Sequence, residues 1–133
     1  MKSIQLSDDG YCFACGKKNS SGLKLDFRTE DEKAVAEFVP SKIHQGFKDI
    51  VHGGIITTVL DEAMVKVALS RGIKVLTAEI AVRFRSTLSV GDSSIVEAEV
   101  VKMGSRLIET AAWIRRSDNT VVAEAQAKLL RNA

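Results

Sequence analysis

Aromatic residues and blocks of like charge are scarce in this sequence, and their scarcity argues against nucleic-acid binding. Phe, Trp and Tyr make up 5% of the 133 residues, which is too few for a surface that stacks nucleic-acid bases. The 19 Lys and Arg residues nearly balance the 17 Asp and Glu residues, and no arginine-rich run occurs. The sequence therefore predicts no nucleic-acid partner.

Hydrophobic runs are also too short to cross a membrane. The longest, from Ile55 to Leu69, is interrupted by Asp61, Glu62 and Lys66. The N-terminal residues MKSIQLSDDGYC lack the apolar centre of a signal peptide. We therefore expect a cytoplasmic protein with no membrane partner, in which the two cysteines stay reduced.

The length and the spacing of apolar residues predict a single α+β domain over residues 1–133. Residues 1–21 are polar and without periodicity, and we expect them to form an irregular arm. Alternating apolar and polar residues predict a first strand at Leu23–Phe27 and a second strand, AVAEFV, that pairs with it.

One long helix is predicted from Gly53 to about Arg71, with Gly72 as its C-terminal cap. At about 100° per residue, one apolar stripe collects Ile56, Leu60, Ala63, Met64 and Val67. Other apolar residues lie off that stripe, so we expect the helix to be enclosed rather than laid on a surface.

Four further segments behind the helix alternate or are rich in β-branched residues, and short turn signals separate them. They are VLTAEIAVRFRSTL, SSIVEAEVVKM, RLIETAAWIRR and TVVAEAQAKLL. Successive strands with short connections predict an antiparallel meander, which would curl around the single helix.

The order of five motifs resembles the PaaI-like family of acyl-CoA thioesterases, which have the hotdog fold. These motifs are CFACG, GLKLDF, VHGG, LDEA and TAEIAVRF, in this order along the chain. The resemblance implies a curled antiparallel sheet wrapped around one long central helix. It also implies hydrolysis of an acyl-CoA thioester with no cofactor beyond the coenzyme A of the substrate. Finally, it implies a site between two subunits of a homodimer, often paired into a homotetramer.

The start of the helix suits a thioester carbonyl. Its first N–H groups lack helical partners, and Gly53 and Gly54 have no Cβ to keep a ligand away. We expect the Gly54 N–H to stabilise the oxyanion. Asp61 lies about 120° from the centre of the apolar stripe, where a carboxylate can face a cleft. The resemblance places the catalytic acid at Asp61, either as general base for a water or as nucleophile.

The resemblance gives two further residues a catalytic role: His52, which would orient the thioester, and Thr77, which would hold the attacking water and could face the helix of a neighbouring subunit. Candidate substrate-binding residues are Gly53, His44, Gln45, Thr57, Thr58, Glu62 and Arg83. For Glu62 an ion pair with Lys66, four residues later, is the better interpretation. Arg83 is one of several arginines and lysines that could meet the phosphates of coenzyme A.

Cys12 and Cys15 have the spacing of half a zinc site. The only histidines, His44 and His52, are not spaced as a second half, and His52 is needed at the helix start. We therefore predict no metal site.

Two alternatives to hydrolysis stay open. One is a hotdog hydratase or dehydratase acting on hydroxyacyl thioesters, which needs a histidine and an acid that both reach the carbon chain. The other is an acyl-thioester binding module without turnover, which would keep the pocket and could spare Asp61.

Overall fold

The computed structural model describes residues 4–132, which form six strands, one long helix and a single 3-10 turn. The strands are β1 (Arg28–Glu30), β2 (Lys33–Phe38), β3 (Val75–Phe84), β4 (Ser94–Met103), β5 (Leu107–Arg116) and β6 (Val121–Arg131). Helix α1 spans Gly53–Leu69, and the 3-10 turn spans Lys42–His44. No helix within the described range has the length and apolarity that a bilayer crossing requires.

All six strands belong to one antiparallel sheet with the order β1-β2-β4-β5-β6-β3. Helix α1 contacts β2, β3, β4, β5 and β6, so the sheet curls around it. The apolar stripe predicted on the helix is buried in full, together with Val59 and Ala68. The hotdog fold expected from the sequence is therefore confirmed.

The predicted meander of four strands is wrong at its first connection. Strand β3 pairs with β6 rather than with β4, and β4 pairs with β2 instead. The chain between β3 and β4 does not form a hairpin, because Leu88 is buried and its carbonyl accepts a hydrogen bond from the Val51 N–H (2.9 Å). Of the four strands that follow the helix, β4–β5 and β5–β6 are hairpins, whereas β3 pairs only with β6 and occupies one edge of the sheet.

The strand predicted at Leu23–Phe27 is also wrong. Lys24 has a φ of 53°, in the left-handed region that interrupts an extended backbone. Leu25 is nevertheless buried, so the alternation reflected burial rather than pairing in the sheet. The first strand is β1, which joins β2 through Asp31 and Glu32, both with positive φ as a tight hairpin turn requires.

Helix α1 ends at Leu69, about two residues before the predicted end, and the turn that follows closes at Gly72, which has left-handed backbone. Gly72 has a φ of 77°, its N–H donates to the Leu69 carbonyl (2.9 Å), and the Ile73 N–H donates to the Ala68 carbonyl (3.3 Å). This pair of hydrogen bonds is a Schellman motif, which satisfies carbonyls that the helix end leaves free. The chain is thereby turned directly into β3, so that β3 packs on the helix that precedes it.

Candidate functional site

Asp61 of α1 and Thr77 of β3 form a hydrogen-bonded pair. The Thr77 Oγ1 hydroxyl donates to Asp61 Oδ1 across 2.6 Å, and both side chains are half-buried. The pairing of β3 with β6 is irregular between Thr77 and Glu79, where a bulge changes the direction of the side chains. Thr77 thus faces the helix of its own chain, whereas the sequence suggested the helix of a neighbour. The carboxylate keeps Oδ2 for a further partner.

His52 caps the N-terminus of α1. Its Nδ1 accepts a hydrogen bond from the Gly54 N–H (2.8 Å), and its backbone carbonyl accepts from the Ile55 N–H (2.9 Å). A ring nitrogen that accepts is unprotonated, so the neutral imidazole carries its proton on Nε2. His52 is exposed, and this N–H can therefore donate to a ligand at the helix start.

The N–H groups of the two glycines differ in what they bind. The Gly54 N–H, which the sequence suggested as oxyanion donor, is already engaged by His52. Within residues 4–132 the Gly53 N–H has no hydrogen-bond acceptor, and this residue is exposed. The free donor at the helix start is therefore one residue earlier than expected.

An open cleft of about 440 Å³ surrounds this helix start. It is lined by Gly46, Phe47, Ile50, Val51, His52 and Gly53. Phe47 is 88% exposed, which is a high exposure for a large apolar side chain. The cleft thus combines an apolar wall with the free N–H of Gly53, although the sequence offered no periodic signal for Phe47 or Ile50.

The free N–H of Gly53 and the carboxylate of Asp61 lie far apart within one chain. Gly53 and Asp61 are both in α1, eight residues apart. At 1.5 Å per residue their backbones are separated by about 12 Å along the helix axis. One carbonyl group cannot contact both the Gly53 N–H and the Asp61 carboxylate of the same helix.

The hydroxyls of Thr57 and Thr58 are used by the helix itself. Each donates to the carbonyl four residues earlier, Gly53 and Gly54 respectively, across 2.9 Å. Their donor hydrogens are therefore not available to a substrate in this conformation, although their oxygens can still accept.

His44 and Gln45 shape the loop rather than the cleft. His44 is buried, and its Nδ1 accepts from the Ser41 N–H (3.0 Å). Burial lowers the pKa of His44. The Gln45 Oε1 accepts from the Asp49 N–H (3.0 Å). Both residues hold the turn that leads into His52, and neither lines the cleft at the helix start.

Arg83 lies on the other side of the sheet. Its neighbours in β3, Ile80 and Val82, pack on the core, and alternation along the strand therefore places Arg83 on the face away from α1. There it lines a separate depression of about 420 Å³ with Trp113 and Glu124 among others. Within one chain, Arg83 is thus remote from the Asp61–Thr77 pair.

Glu62 lies beside Lys66 and both cysteines. Its Oε1 is 3.8 Å from Lys66 Nζ, the ion pair suggested by the spacing. The sulfurs of Cys12 and Cys15 and a Glu62 oxygen all lie within 4.8 Å of one another. Burial, followed by the charge of Glu62, raises the pKa of the Cys15 thiol to about 12. The sequence gives no signal for this cluster, because nothing in the spacing connects Glu62 to the cysteines.

Several similar proteins are named as thioesterases. The acyl-coenzyme A thioesterase THEM5 of Mus musculus is 24% identical over 131 residues, which cover 98% of this chain and 49% of that protein. This chain therefore spans about half the length of that curated relative.

Solved structures show the same fold at low identity. The PaaI protein of Escherichia coli, from a phenylacetic acid degradation operon, superimposes with a TM-score of 0.78 at 20% identity, over 84% of this chain and 81% of that chain. A hypothetical thioesterase from Streptococcus pneumoniae, solved with coenzyme A, superimposes with a TM-score of 0.78 at 16% identity, over 82% of this chain and 89% of that chain.

The family model of the thioesterase superfamily matches residues 48–123, a range that runs from the loop before His52 into β6. It includes α1, Asp61 and Thr77. Since this range is more than half of the sequence, the chain belongs to the thioesterase superfamily.

Proposed function

We propose that this protein is an acyl-CoA thioesterase that hydrolyses a thioester to a free acid and coenzyme A. The observation that carries the proposal is the 2.6 Å hydrogen bond by which Thr77 orients the Asp61 carboxylate. A carboxylate fixed through one oxygen can present the other to a water molecule. Membership of the thioesterase superfamily and the likeness to THEM5 support the same reaction.

In the proposed reaction, Asp61 acts as general base. Its Oδ2 accepts a proton from water as the water oxygen bonds to the thioester carbon, and negative charge develops on the carbonyl oxygen. The Gly53 N–H donates to that oxygen, and the His52 Nε2–H can donate beside it. When the carbon–sulfur bond breaks, the sulfur leaves as coenzyme A and receives the proton held by Asp61. Direct attack by Asp61 remains the alternative, and it predicts a covalent anhydride that hydroxylamine would trap.

The site we propose is shared between two copies of the chain. About 12 Å separates Gly53 from Asp61 in one helix, so one copy would supply the glycine and the other the acid. Strand β3 lies at an edge of the sheet and carries Thr77, which makes it available for contact with another copy. We infer from this separation a homodimer with two equivalent sites, and the resemblance to PaaI-like enzymes supports a dimer of dimers.

The cleft at the helix start suits an apolar acyl group. Phe47 and Ile50 supply exposed apolar surface beside the Gly53 N–H, where the thioester carbonyl would lie. Burial of such surface on binding would contribute affinity, about 25 cal/mol for each Å². The coenzyme A part of the substrate would extend away from this cleft toward the partner copy.

The reaction is tested with a panel of acyl-CoA substrates by following the appearance of free thiol. We expect Asp61→Asn and Asp61→Ala to lower kcat by at least about 100-fold, the usual effect of losing a general base. Hydration of an enoyl-CoA without thiol release would instead favour the hydratase. Binding of acyl-CoA without either product would favour the binding module.

The shared site is tested by mixing two inactive variants. Gly53→Pro lacks the N–H and Asp61→Asn lacks the base, and a heterodimer of the two contains one site with both groups intact. Mixing after subunit exchange should restore about a quarter of the wild-type activity, since half of the dimers are mixed and each has one good site. No recovery, in mixtures shown to contain heterodimers, would contradict a site built from two copies.

A further inference from the structure

Three side chains with metal-binding atoms converge where the N-terminal segment meets α1. The sulfurs of Cys12 and Cys15 and a carboxylate oxygen of Glu62 all lie within 4.8 Å of one another, and all three residues are partly buried. Both cysteines are free. We propose that Cys12, Cys15 and Glu62 form a binding site for Zn²⁺ or a chemically similar divalent cation, which fastens the N-terminal segment to α1.

The turn that carries the cysteines is held by backbone hydrogen bonds. The Gly16 N–H donates to the Cys12 carbonyl (2.8 Å), and the Lys18 N–H donates to the Gly10 carbonyl (2.9 Å). A Cβ at position 16 would lie 2.4 Å from the Cys12 nitrogen, so only glycine fits this turn. The two thiols are therefore positioned by a rigid backbone, and a ligand would find them already close together.

The segment behind this turn is fastened as well. The Leu23 N–H donates to the Phe13 carbonyl (2.8 Å), and the Leu25 N–H donates to the Ala14 carbonyl (2.9 Å). Ala14 and Leu25 are both buried in the core. The cysteine turn is thus anchored on both sides, while Glu62 belongs to a helix whose apolar stripe is buried in the core. A metal ion would join two elements that are each already fixed.

The distances suit a tetrahedral ion after a small adjustment. A Zn–S length of about 2.3 Å places the two sulfurs of a tetrahedral site about 3.8 Å apart. Since the three atoms lie within 4.8 Å of one another, the two sulfurs need to move together by at most about 1 Å, which side-chain rotation can supply. Two thiolates and one carboxylate are ligands that Zn²⁺ accepts, with water in the fourth position.

The charge balance also favours a divalent cation. A metal ion would displace the thiol protons on binding, so the three ligands would then carry three negative charges, and Lys66 beside Glu62 supplies one positive charge. A divalent ion would make the cluster neutral, which reduces the cost of keeping these groups partly buried. Lys66 also interacts with both cysteines, so it would neutralise part of this charge and the divalent ion the rest.

Such an ion would also stiffen the helix next to the proposed site. Glu62 follows Asp61 directly in α1, and a metal bond to Glu62 would hold this turn of the helix against the N-terminal segment. The inference does not depend on the proposed thioesterase reaction, because its tests measure metal binding and stability. Glu62 would then serve structure, while Asp61 serves catalysis.

The test is a metal titration of the full chain after treatment with a chelator. Cobalt(II) should bind with one ion per chain and give the thiolate-to-cobalt charge-transfer absorption of a tetrahedral sulfur site, and Zn²⁺ should displace it. Glu62→Gln should weaken Zn²⁺ binding by at least about tenfold. Cys12→Ser and Cys15→Ser should lose most of the charge-transfer absorption.

Two matched controls separate metal binding from the loss of an ion pair. Glu97→Gln also removes a partly exposed glutamate that faces a lysine (Lys33 Nζ, 4.0 Å), and it should leave metal affinity unchanged. Lys66→Gln removes the partner of Glu62 but keeps all three ligands, so it should bind metal at least as tightly as the wild type.

Three results would overturn the inference. The first is a cobalt complex without thiolate absorption, and the second is Zn²⁺ affinity that Glu62→Gln does not change. The third is equal loss of thermal stability in Glu62→Gln with and without Zn²⁺, which would identify Glu62 as an ion-pair partner only. If the cysteine variants fail to fold, the comparison of Glu62→Gln with Lys66→Gln still decides between these outcomes.

Discussion

Replacing Gly53 by proline should abolish most of the hydrolysis while leaving the helix intact. Gly53 is the first residue of α1, a position where proline is tolerated because its N–H has no helical partner. The preceding residue, His52, has φ −63° and ψ 135°, the extended conformation that a residue before proline prefers. A Cβ at position 53 would lie 3.5 Å from the Phe84 ring, an ordinary contact. The substitution therefore removes one hydrogen-bond donor with little strain.

The size of the effect follows from what an oxyanion donor contributes. Loss of one such donor lowers kcat by roughly 100- to 1000-fold, about 2.7–4 kcal/mol of transition-state stabilisation. Gly53→Ala keeps the N–H and adds only the same ordinary contact with Phe84, so it should change kcat by less than about tenfold. The contrast between proline and alanine at one position isolates the N–H from the added volume.

The assay is steady-state thiol release from the acyl-CoA that the wild type hydrolyses fastest, with kcat and KM measured separately. Circular dichroism and the melting temperature report whether α1 is intact. If Gly53→Pro is folded and keeps kcat within threefold of the wild type, while Asp61→Asn is inactive, the Gly53 N–H is not the oxyanion donor. The Gly54 N–H would then be the remaining candidate, after rotation of the His52 ring.

Two further expectations concern Thr77 and His44. Thr77→Val removes a hydrogen bond to a carboxylate that is worth about 1.5–3 kcal/mol, so kcat should fall roughly 10- to 150-fold. Thr77→Ser keeps the hydroxyl and should restore kcat. Equal loss of kcat in both variants would contradict an orienting role for the hydroxyl. Burial lowers the pKa of His44 below its ordinary 6.5 in the folded chain, whereas the unfolded chain keeps the ordinary value. Below pH 6.5 the unfolded chain therefore binds more protons than the folded chain, and the free energy of unfolding decreases as the pH is lowered. The melting temperature of His44→Asn, which keeps an acceptor for the Ser41 N–H, should vary less between about pH 5 and pH 8; the same slope in both proteins would exclude His44 as the cause.

Helix α1 and the core could be predicted from the sequence because they depend on local periodicity. The stripe at Ile56, Leu60 and Val67 is set by the 3.6-residue repeat, and the structure buries all three. The partner of β3 could not be predicted, since strand pairing depends on which sheet edges remain free once the other strands have paired. The alternation at Leu23–Phe27 was misleading because burial of Leu25 does not require a strand.

The candidate site residues could be predicted one at a time, but not their mutual contacts. Asp61 and Thr77 followed from the motif resemblance, whereas their hydrogen bond depends on a bulge in β3 that no sequence signal marks. The choice between Gly53 and Gly54 depends on the orientation of the His52 ring, which decides which N–H is occupied. The cluster of Glu62 with two cysteines joins segments far apart in the sequence, so only the folded chain shows it.

The position of β3 at the sheet edge has a consequence for the order of folding. Hairpins β4–β5 and β5–β6 join strands that are neighbours in the sequence, so we expect them to form early. Pairing of β3 with β6 closes a longer loop, because β4 and β5 lie between them in the sequence. We expect pulsed hydrogen exchange during refolding to protect β5 before β3, and simultaneous protection would contradict this order. Because β3 brings Thr77 to Asp61, we expect their hydrogen bond to form only after the two hairpins.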